Sequence, residues 1–181
     1  MPKRKLPTIA KFKHCRLHSP RSIRLLTLQP SSDASSPLEI SLLEVSLDDS
    51  PSNRHSYEAL SYVWGASKGS VLCTCDSKIL LITPNCDDAL RHLRLPDQHR
   101  TLWVDAICID QGNDKESLKE RGMQITLMGE VYRSAERTLC WLGSGEEYTA
   151  GTFEYLRRIG SCPSKRELRK LLNYDGTWNY A

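Results

Sequence analysis

Two apolar runs with a long helical pattern between them dominate the middle of the chain. The first run, 102–109, has the length of a buried strand and contains one acid, Asp105. The second, 138–142, follows the helical pattern and ends before Gly143. Strand, helix and strand in this order predict a βαβ unit, whose two strands lie parallel in one sheet. A charged carboxylate inside a buried strand is costly unless it is paired or neutralised, so we expect Asp105 to pair with Arg121 or to cap loop amides.

Two seven-residue repeats in the helical pattern predict the face that packs on the sheet. Their members are Leu118, Ile125 and Tyr132 in one repeat and Arg121, Met128 and Ala135 in the other, and Leu127 and Val131 widen the apolar face. Gly122 and Gly129 are poor helix formers, so each predicts a point of close packing against the sheet. Glu120 and Gln124 lie one turn apart on a shared face, which is either a solvated surface or part of a functional site.

The chain before this unit reads mainly as strands. Apolar runs at 23–28 and 38–47 predict a β-hairpin, and 57–65 (YEALSYVWG) is apolar on both faces, as expected of a central strand. A second hairpin is predicted at 71–83, and Thr83 is suited to cap the helix that follows. We therefore predict an α/β fold in which helices flank a central, mainly parallel sheet of flavodoxin-like type, with an added N-terminal β-hairpin region.

The chain divides into three parts by composition and pattern. A basic arm without acids covers 1–22, the α/β domain covers 23–147, and a helical segment covers 148–181. The arm predicts a solvated extension, and its PKRK sequence is an alternative signal for nuclear import. The last segment ends in apolar and aromatic residues that would need a partner surface, so we expect it to be truncated.

Composition narrows the classes of function. The net charge of +3 on 181 residues is too small to indicate nucleic-acid binding, and no apolar run approaches the roughly 20 residues of a membrane span. Because the chain starts without an apolar signal segment, we expect it in the cytoplasm, or in the nucleus if the arm directs import. Seven cysteines, an odd number, predict reduced thiols rather than a disulfide framework. Cys73 and Cys75 have no matching ligand pair, so we expect no metal site.

Familiar catalytic motifs are absent from the sequence. It contains no G-x-S-x-G, G-x-x-x-x-G-K-[ST], H-E-x-x-H or G-x-G-x-x-G pattern. A thiol hydrolase built from Cys108 and His92 is disfavoured, because an apolar strand keeps a thiol protonated. Ligands of parallel sheets bind beyond the carboxyl ends of the strands, where Gly65, Asp110 and Gln111 are predicted to fall.

Three sequence blocks in this order resemble the heterokaryon incompatibility (HET) domain of filamentous fungi. They are YEALSYVWG at 57–65, LWVDAICIDQ at 102–111, and a spaced ER, Q, M, VY, A and WLG series from Glu120 to Gly143. The resemblance covers 57–143, and several blocks together are far more specific than one motif. The family commonly reads CINQ where this chain has Asp110 before Gln111, which disfavours a role of residue 110 in binding an anionic phosphate.

The resemblance implies a function in fungal nonself recognition and programmed cell death, exerted through self-association or contact with other death-pathway proteins. The family is remotely similar to TIR domains, some of which cleave NAD. This implies a TIR-like fold and an alternative function, an NAD glycohydrolase that has NAD as its substrate. An inert, truncated family member is a third interpretation.

The resemblance also selects the candidate site residues. Asp105 and Glu120 are the candidate catalytic acids. The other family-pattern positions, with ligand binding as their candidate role, are Ser61, Tyr62, Trp64, Gly65, Asp110, Gln111, Arg121 and Gln124.

Overall fold

The computed structural model describes residues 10–50, 52–65 and 68–145, together with residues 151, 153, 154, 157 and 161. The chain forms two compact units, Met1–Gly143 and Ser144–Ala181. In the second unit the Arg157 guanidinium donates to the Glu154 carboxylate at 2.8 and 2.9 Å, three residues back along the chain. The PKRK signal and most of the helical segment predicted at 148–181, with its aromatic end, lie outside the described residues.

A sheet of seven strands forms the centre of the described part of the first unit. The strands are β1 (Ser22–Leu28), β2 (Glu39–Ser46), β3 (Glu58–Tyr62), β4 (Val71–Cys75), β5 (Lys78–Ile82), β6 (Arg100–Val104) and β7 (Arg137–Trp141), and the helices are α1 (Pro84–Leu93), α2 (Asp105–Cys108) and α3 (Lys115–Ser134). The strand order is β5-β4-β2-β1-β6-β3-β7. The α/β class and both predicted hairpins are confirmed.

The sheet is mixed, which corrects the prediction of a mainly parallel one. β3 lies parallel to both β6 and β7, and β2 lies parallel to β4. β1 is antiparallel to β2 and to β6, and β4 is antiparallel to β5. The first hairpin is therefore no addition to the domain. β1 lies in the middle of the sheet, and for this reason it is buried along almost its whole length. The expected parallel core is limited to the three strands β6-β3-β7.

The apolar run predicted as one strand at 102–109 divides into a strand and a helical turn. β6 ends at Val104, and α2 begins at Asp105. The Ile109 backbone N–H donates to the Asp105 carbonyl at 3.2 Å, and Ile107 and Ile109 stay buried. A short apolar run does not distinguish a buried strand from a buried helical turn, and this run contains both. Asp105 consequently lies at a strand end rather than inside a strand.

Part of the basic arm is packed on the sheet, although a solvated extension was predicted. The Phe12 backbone N–H donates to the Ile79 carbonyl at 2.7 Å, and the Ile79 N–H donates to the Ala10 carbonyl at 2.9 Å. His14 forms a 2.7 Å hydrogen bond to the Ile107 carbonyl. The arm thus covers the outer edge of β5, which would otherwise offer unpaired backbone groups to another strand.

The predicted apolar face of α3 is confirmed in the second half of the helix, where Val131 is buried and Met128 and Tyr132 pack against the core, and is wrong in the first half. Its buried residues are Ser117, Glu120, Gln124 and Val131. Leu118 and Ile125 of the predicted apolar repeat are 52% and 58% exposed. A Cβ atom added at Gly122 or Gly129 would meet nothing within 4 Å, so these glycines do not mark close packing. The inward face of the first half is polar, because its side chains bond to β1 and to the loop before the helix. No helix in the described ranges is long and apolar enough to cross a membrane.

One acid on β3, Glu58, forms ion pairs with both neighbouring strands of the parallel core. We expect the contribution of Glu58 to the stability of the fold to depend on pH. Glu58 on β3 accepts hydrogen bonds from Arg100 on β6 and Arg137 on β7. The Arg100 bond lowers the pKa of Glu58 below its ordinary 4.5, against the effect of burial, and the Arg137 bond adds to the lowering. Because the pKa is lower in the folded than in the unfolded chain, the ionised Glu58 contributes its full stabilisation at pH values above the unfolded pKa of 4.5. That contribution is lost as the pH falls through the folded pKa.

Urea unfolding from pH 7 downward should therefore show wild type more stable than Glu58→Gln at neutral pH. We expect this gap in the free energy of unfolding to close in acid. A gap that stays constant would contradict the linkage.

Candidate functional site

The carboxyl ends of three parallel strands meet at one edge of the sheet. Asp105 follows β6, residues 63–65 follow β3, and residues 142–143 follow β7. The register pairs Tyr62 with Trp141 across β3 and β7, so these strand ends lie side by side. Ligands of open α/β sheets bind beyond such an edge, which makes it the candidate site.

Two donors hold the Asp105 carboxylate at this edge. The indole Nε1 of Trp64 donates to both of its oxygens at 3.0 Å, and the Ala106 N–H donates to Oδ1 at 2.7 Å. Burial raises the pKa of Asp105, and these hydrogen bonds oppose the rise. The predicted Arg121 partner is wrong, because the Arg121 guanidinium donates to the Gly112 carbonyl at 2.8 Å. A half-buried acid with a raised pKa beside an exposed indole is suited to exchange a proton with a ligand.

Two tyrosines lie close enough to this acid to be affected by its charge, and two further rings stack at the end of β7. Burial raises the pKa of the Tyr62 and Tyr132 hydroxyls, and the Asp105 charge adds to both shifts. The His92 ring lies 4.7 Å from the Trp141 ring. Sequence reasoning did not assign His92, Tyr132 or Trp141 to the site. Trp141 could have been found from its place at a predicted strand end, whereas the other two come from helices whose orientation no local pattern shows.

Gly65 forms the turn that leads the chain away from this edge. Its φ of +70° lies in the left-handed region, and a Cβ atom there would lie 2.9 Å from Nδ2 of Asn85. The same Asn85 nitrogen donates to the Val63 carbonyl at 3.0 Å, which ties the loop after β3 to α1. Ser61 precedes this loop with its side chain exposed on β3. Five of the predicted residues, Ser61, Tyr62, Trp64, Gly65 and Asp105, therefore belong to the same edge.

Glu120, the second candidate acid, belongs to a different network. Arg24 on β1 donates to its two carboxylate oxygens at 2.6 and 2.9 Å, and both side chains are buried. The same guanidinium donates to the carbonyls of Cys108 and Cys15 at 3.0 and 2.5 Å. This ion pair joins β1, α2, α3 and the arm. Since Glu120 and Asp105 bond to different side chains, the structure does not bring the two candidate acids together as a pair.

The polar side chains after α2 form hydrogen bonds that fix the loop between α2 and α3. Asp110 accepts from the Gly112 N–H and from the Ser117 hydroxyl, both at 2.9 Å, and its own N–H donates to Glu120 at 3.3 Å. The Gln111 amide nitrogen donates to the backbone carbonyls of residues 105 and 109 at 3.3 and 3.2 Å. These bonds fix the course of the chain between α2 and α3. The bonds of Asp110 within the protein therefore account for an acid at this position, and no ligand is needed to explain it.

Gln124 lies further along α3 and faces β1. Its amide nitrogen donates to the Ser22 carbonyl at 2.9 Å, while its buried Oε1 has no hydrogen-bond partner among the described residues. The solvated surface considered for Glu120 and Gln124 is wrong, because both side chains are buried. A cavity of about 410 Å³ opens beside the ion pair of Arg24 with Glu120, and His14, Asp110 and Glu120 contribute to the walls of this cavity.

The cysteines do not form a reactive site in the part of the chain that is described. All six there are free, and Cys73, Cys75, Cys86 and Cys108 are buried, as reduced structural thiols are expected to be. Burial raises the pKa of Cys108 to about 12, so its thiol stays protonated at neutral pH. No group of three or more His, Cys, Asp or Glu side chains in the described ranges is placed to bind one metal ion.

Comparison with known proteins gives the same family as the sequence blocks. The family described as heterokaryon incompatibility protein (HET) matches residues 57–178. Heterokaryon incompatibility protein 6, OR allele, of Neurospora crassa is 31% identical over 151 residues, which cover 76% of this chain and 21% of that protein. The chain thus spans about a fifth of the length of this curated relative. No solved structure matches.

Proposed function

The chain belongs to the heterokaryon incompatibility (HET) family, and from this we propose that it acts in fungal heterokaryon incompatibility as a signalling domain that works by self-association. Its output in this proposal is the arrest and death of incompatible fused cells, as the family resemblance implies. The relative's name supports the incompatibility role, and the mode of action rests on one feature of the surface.

That feature is the outward face of α3. Leu118 and Ile125 are seven residues apart on it, and both are more than half exposed. Gly122 and Gly129 lie on the same face, with open space where a side chain would be. Apolar side chains that alternate with glycines allow a second helix to approach closely, with Leu and Ile filling the gaps. In a two-fold dimer this face would meet itself, so one surface supplies both halves of the contact.

A double substitution on α3 tests this mode of action. Leu118→Asp with Ile125→Asp places charges on the exposed face and touches no buried side chain, so we expect a folded monomer that no longer kills. Light scattering after size exclusion would measure the mass, and colony counts after induced expression in a fungal host would measure killing. Thr126→Asp is the matched control, because Thr126 is exposed one position further along. Killing by the double variant at the wild-type level would refute the proposal.

NAD cleavage is the second candidate function, and the Asp105 edge is the observation that favours it. The acid lies at the carboxyl end of a parallel strand, its pKa is raised by burial, and an exposed indole lies beside it. The same expression experiment separates the two functions when cellular NAD is also measured. Loss of NAD with wild type, but not with a folded Asp105→Asn variant, would support the enzyme. Death with NAD unchanged would support signalling through contacts.

A further inference from the structure

A buried arginine near the β1–β2 loop forms no ion pair in the part of the chain that is described. Arg94, the residue after α1, is 9% exposed. Its guanidinium donates to the backbone carbonyls of residues 33, 34, 36 and 37 and to the Ser36 hydroxyl, at 2.8–3.3 Å. Asp33 interacts with its charge, but no carboxylate in the described ranges lies within 4 Å of it, whereas the buried Arg24 is paired with Glu120. A buried guanidinium whose hydrogen-bond partners are all neutral would gain charge-assisted hydrogen bonds from a nearby anion.

Ser36 is the group through which such a charge can arrive. Its hydroxyl accepts from Arg94 at 3.0 Å and donates to the Ser31 hydroxyl at 2.8 Å. Arg91 on α1 donates to the Ser36 carbonyl at 2.9 Å, while its Nε is bound to Asp87. Two guanidinium groups therefore contact this one serine. A phosphoserine facing such a pair gains charge-assisted hydrogen bonds that are stronger than those to carbonyls.

The loop around Ser36 also has the sequence and the space for modification. Pro37 follows directly, and Ser-Pro is the acceptor dipeptide of proline-directed protein kinases. Residues 32–35 and Pro37 are exposed, so a kinase can reach the loop. A cavity of about 190 Å³ next to Ser31, Ser36 and Arg94 gives room for a phosphoryl group, although Glu39 also lines it.

We propose that Ser36 is a phosphorylation site and that Arg94 and Arg91 bind the phosphate. A proline-directed kinase supplies the group from ATP: the Ser36 oxygen attacks the terminal phosphorus, the bond from phosphorus to ADP breaks, and the serine proton passes to the kinase's base. The phosphate then carries about −1.5 to −2 charges and fastens the β1–β2 loop to α1. Ser35 is not equivalent, because its hydroxyl donates to the Asp33 carboxylate at 2.6 Å and a phosphate there would be repelled.

The chain provides internal controls for this proposal. Ser19 and Ser50 also precede prolines. The Ser19 hydroxyl accepts from the Arg21 backbone N–H, and the Ser50 hydroxyl bonds to that of Ser52. Within the described residues neither hydroxyl is bonded to a guanidinium. Of these three serines, Ser36 is the one that two guanidinium groups contact within the described residues.

Kinase treatment of the full chain is the first test. A proline-directed kinase that phosphorylates the peptide 29–38 is expected to phosphorylate folded wild type at Ser36, with Ser36→Ala unmodified there and Ser35→Ala modified as wild type. Mass spectrometry of the digested chain locates the phosphate. A folded chain that stays unmodified at Ser36, while the peptide is modified, would overturn the proposal.

The arginine contacts are tested by titrating the phosphate itself. Phosphoserine introduced during translation at Ser36, or at Ser50 as control, is followed by phosphorus NMR against pH. We expect the Ser36 phosphate to titrate about 1 pH unit lower in the folded chain than in urea, and the Ser50 phosphate to shift clearly less. Arg91→Gln should reduce the shift at Ser36. A Ser36 phosphate that titrates at the same pH in the folded chain and in urea would show that the arginines do not bind it, whatever the stability of the arginine variants.

Discussion

Glutamine in place of Glu120 is expected to lower the free energy of unfolding by about 3–5 kcal/mol, because it leaves Arg24 buried without a charge partner. The pair is bidentate and buried, and the guanidinium has two carbonyl acceptors besides Glu120. Urea unfolding at pH 7, followed by circular dichroism, gives the difference. This substitution keeps the shape of the side chain, yet the structure shows that it is a severe test of the fold. Loss of killing by Glu120→Gln therefore could not be assigned to catalysis.

The matched control for this change is on the same helix. Glu116 lies in the exposed first turn of α3, where Glu116→Gln should cost only about 0.3–1 kcal/mol through the helix dipole. An apolar double variant, Arg24→Met with Glu120→Leu, is expected to be more stable than Glu120→Gln alone, since no buried charge remains. Equal losses for Glu120→Gln and Glu116→Gln would contradict a structural role for the ion pair.

Trp103→Ala is expected to cost about 3–5 kcal/mol, because it empties the largest side-chain volume in the core. Trp103 is fully buried on β6, and its ring meets the Tyr132 ring edge-on at 5.4 Å between centroids. That contact fastens α3 to the strand that carries Asp105. Thermal melting by circular dichroism measures the loss. Trp141→Ala, at the end of edge strand β7, is the control and should lose clearly less.

The Trp103 prediction would fail if both tryptophan variants melted together. The Trp103 Nε1 is buried and has no hydrogen-bond partner among the described residues. Removing an unpaired donor recovers part of its desolvation cost, so the measured loss should lie toward the lower part of the range.

The sequence predicted the secondary structure best where an apolar run is bounded by clear turn or capping residues. The runs at 23–28, 57–65 and 138–142 became β1, β3 and β7 with small shifts of boundary. Thr83 caps α1 as predicted, because its side-chain oxygen accepts from the Cys86 N–H. These features depend on neighbours a few residues away, and such neighbours are visible in a single sequence.

Features set by distant contacts were not predictable. The inward face in the first half of α3 follows from Arg24 and the Ser22 carbonyl on β1, about 100 positions earlier, so the apolar repeat was wrong there for Leu118 and Ile125. The place of β1 in the sheet is likewise set by pairing with β6 across a long separation. In the site, Trp64 and Asp105 were both selected. Their hydrogen bond depends on the parallel pairing of β3 with β6, and no spacing in the chain encodes it.

The central position of β1 has a consequence for where this domain begins. The family match starts at residue 57, after both β1 and β2. Without those two strands, β4-β5 would lose its connection to β6-β3-β7, and two strand edges would be left with unpaired backbone groups. The segment that the family match covers is therefore shorter than the folding unit. An expression fragment that preserves this sheet has to start before Ser22, and a toxicity assay on residues 57–178 alone would report on a broken fold rather than on the domain.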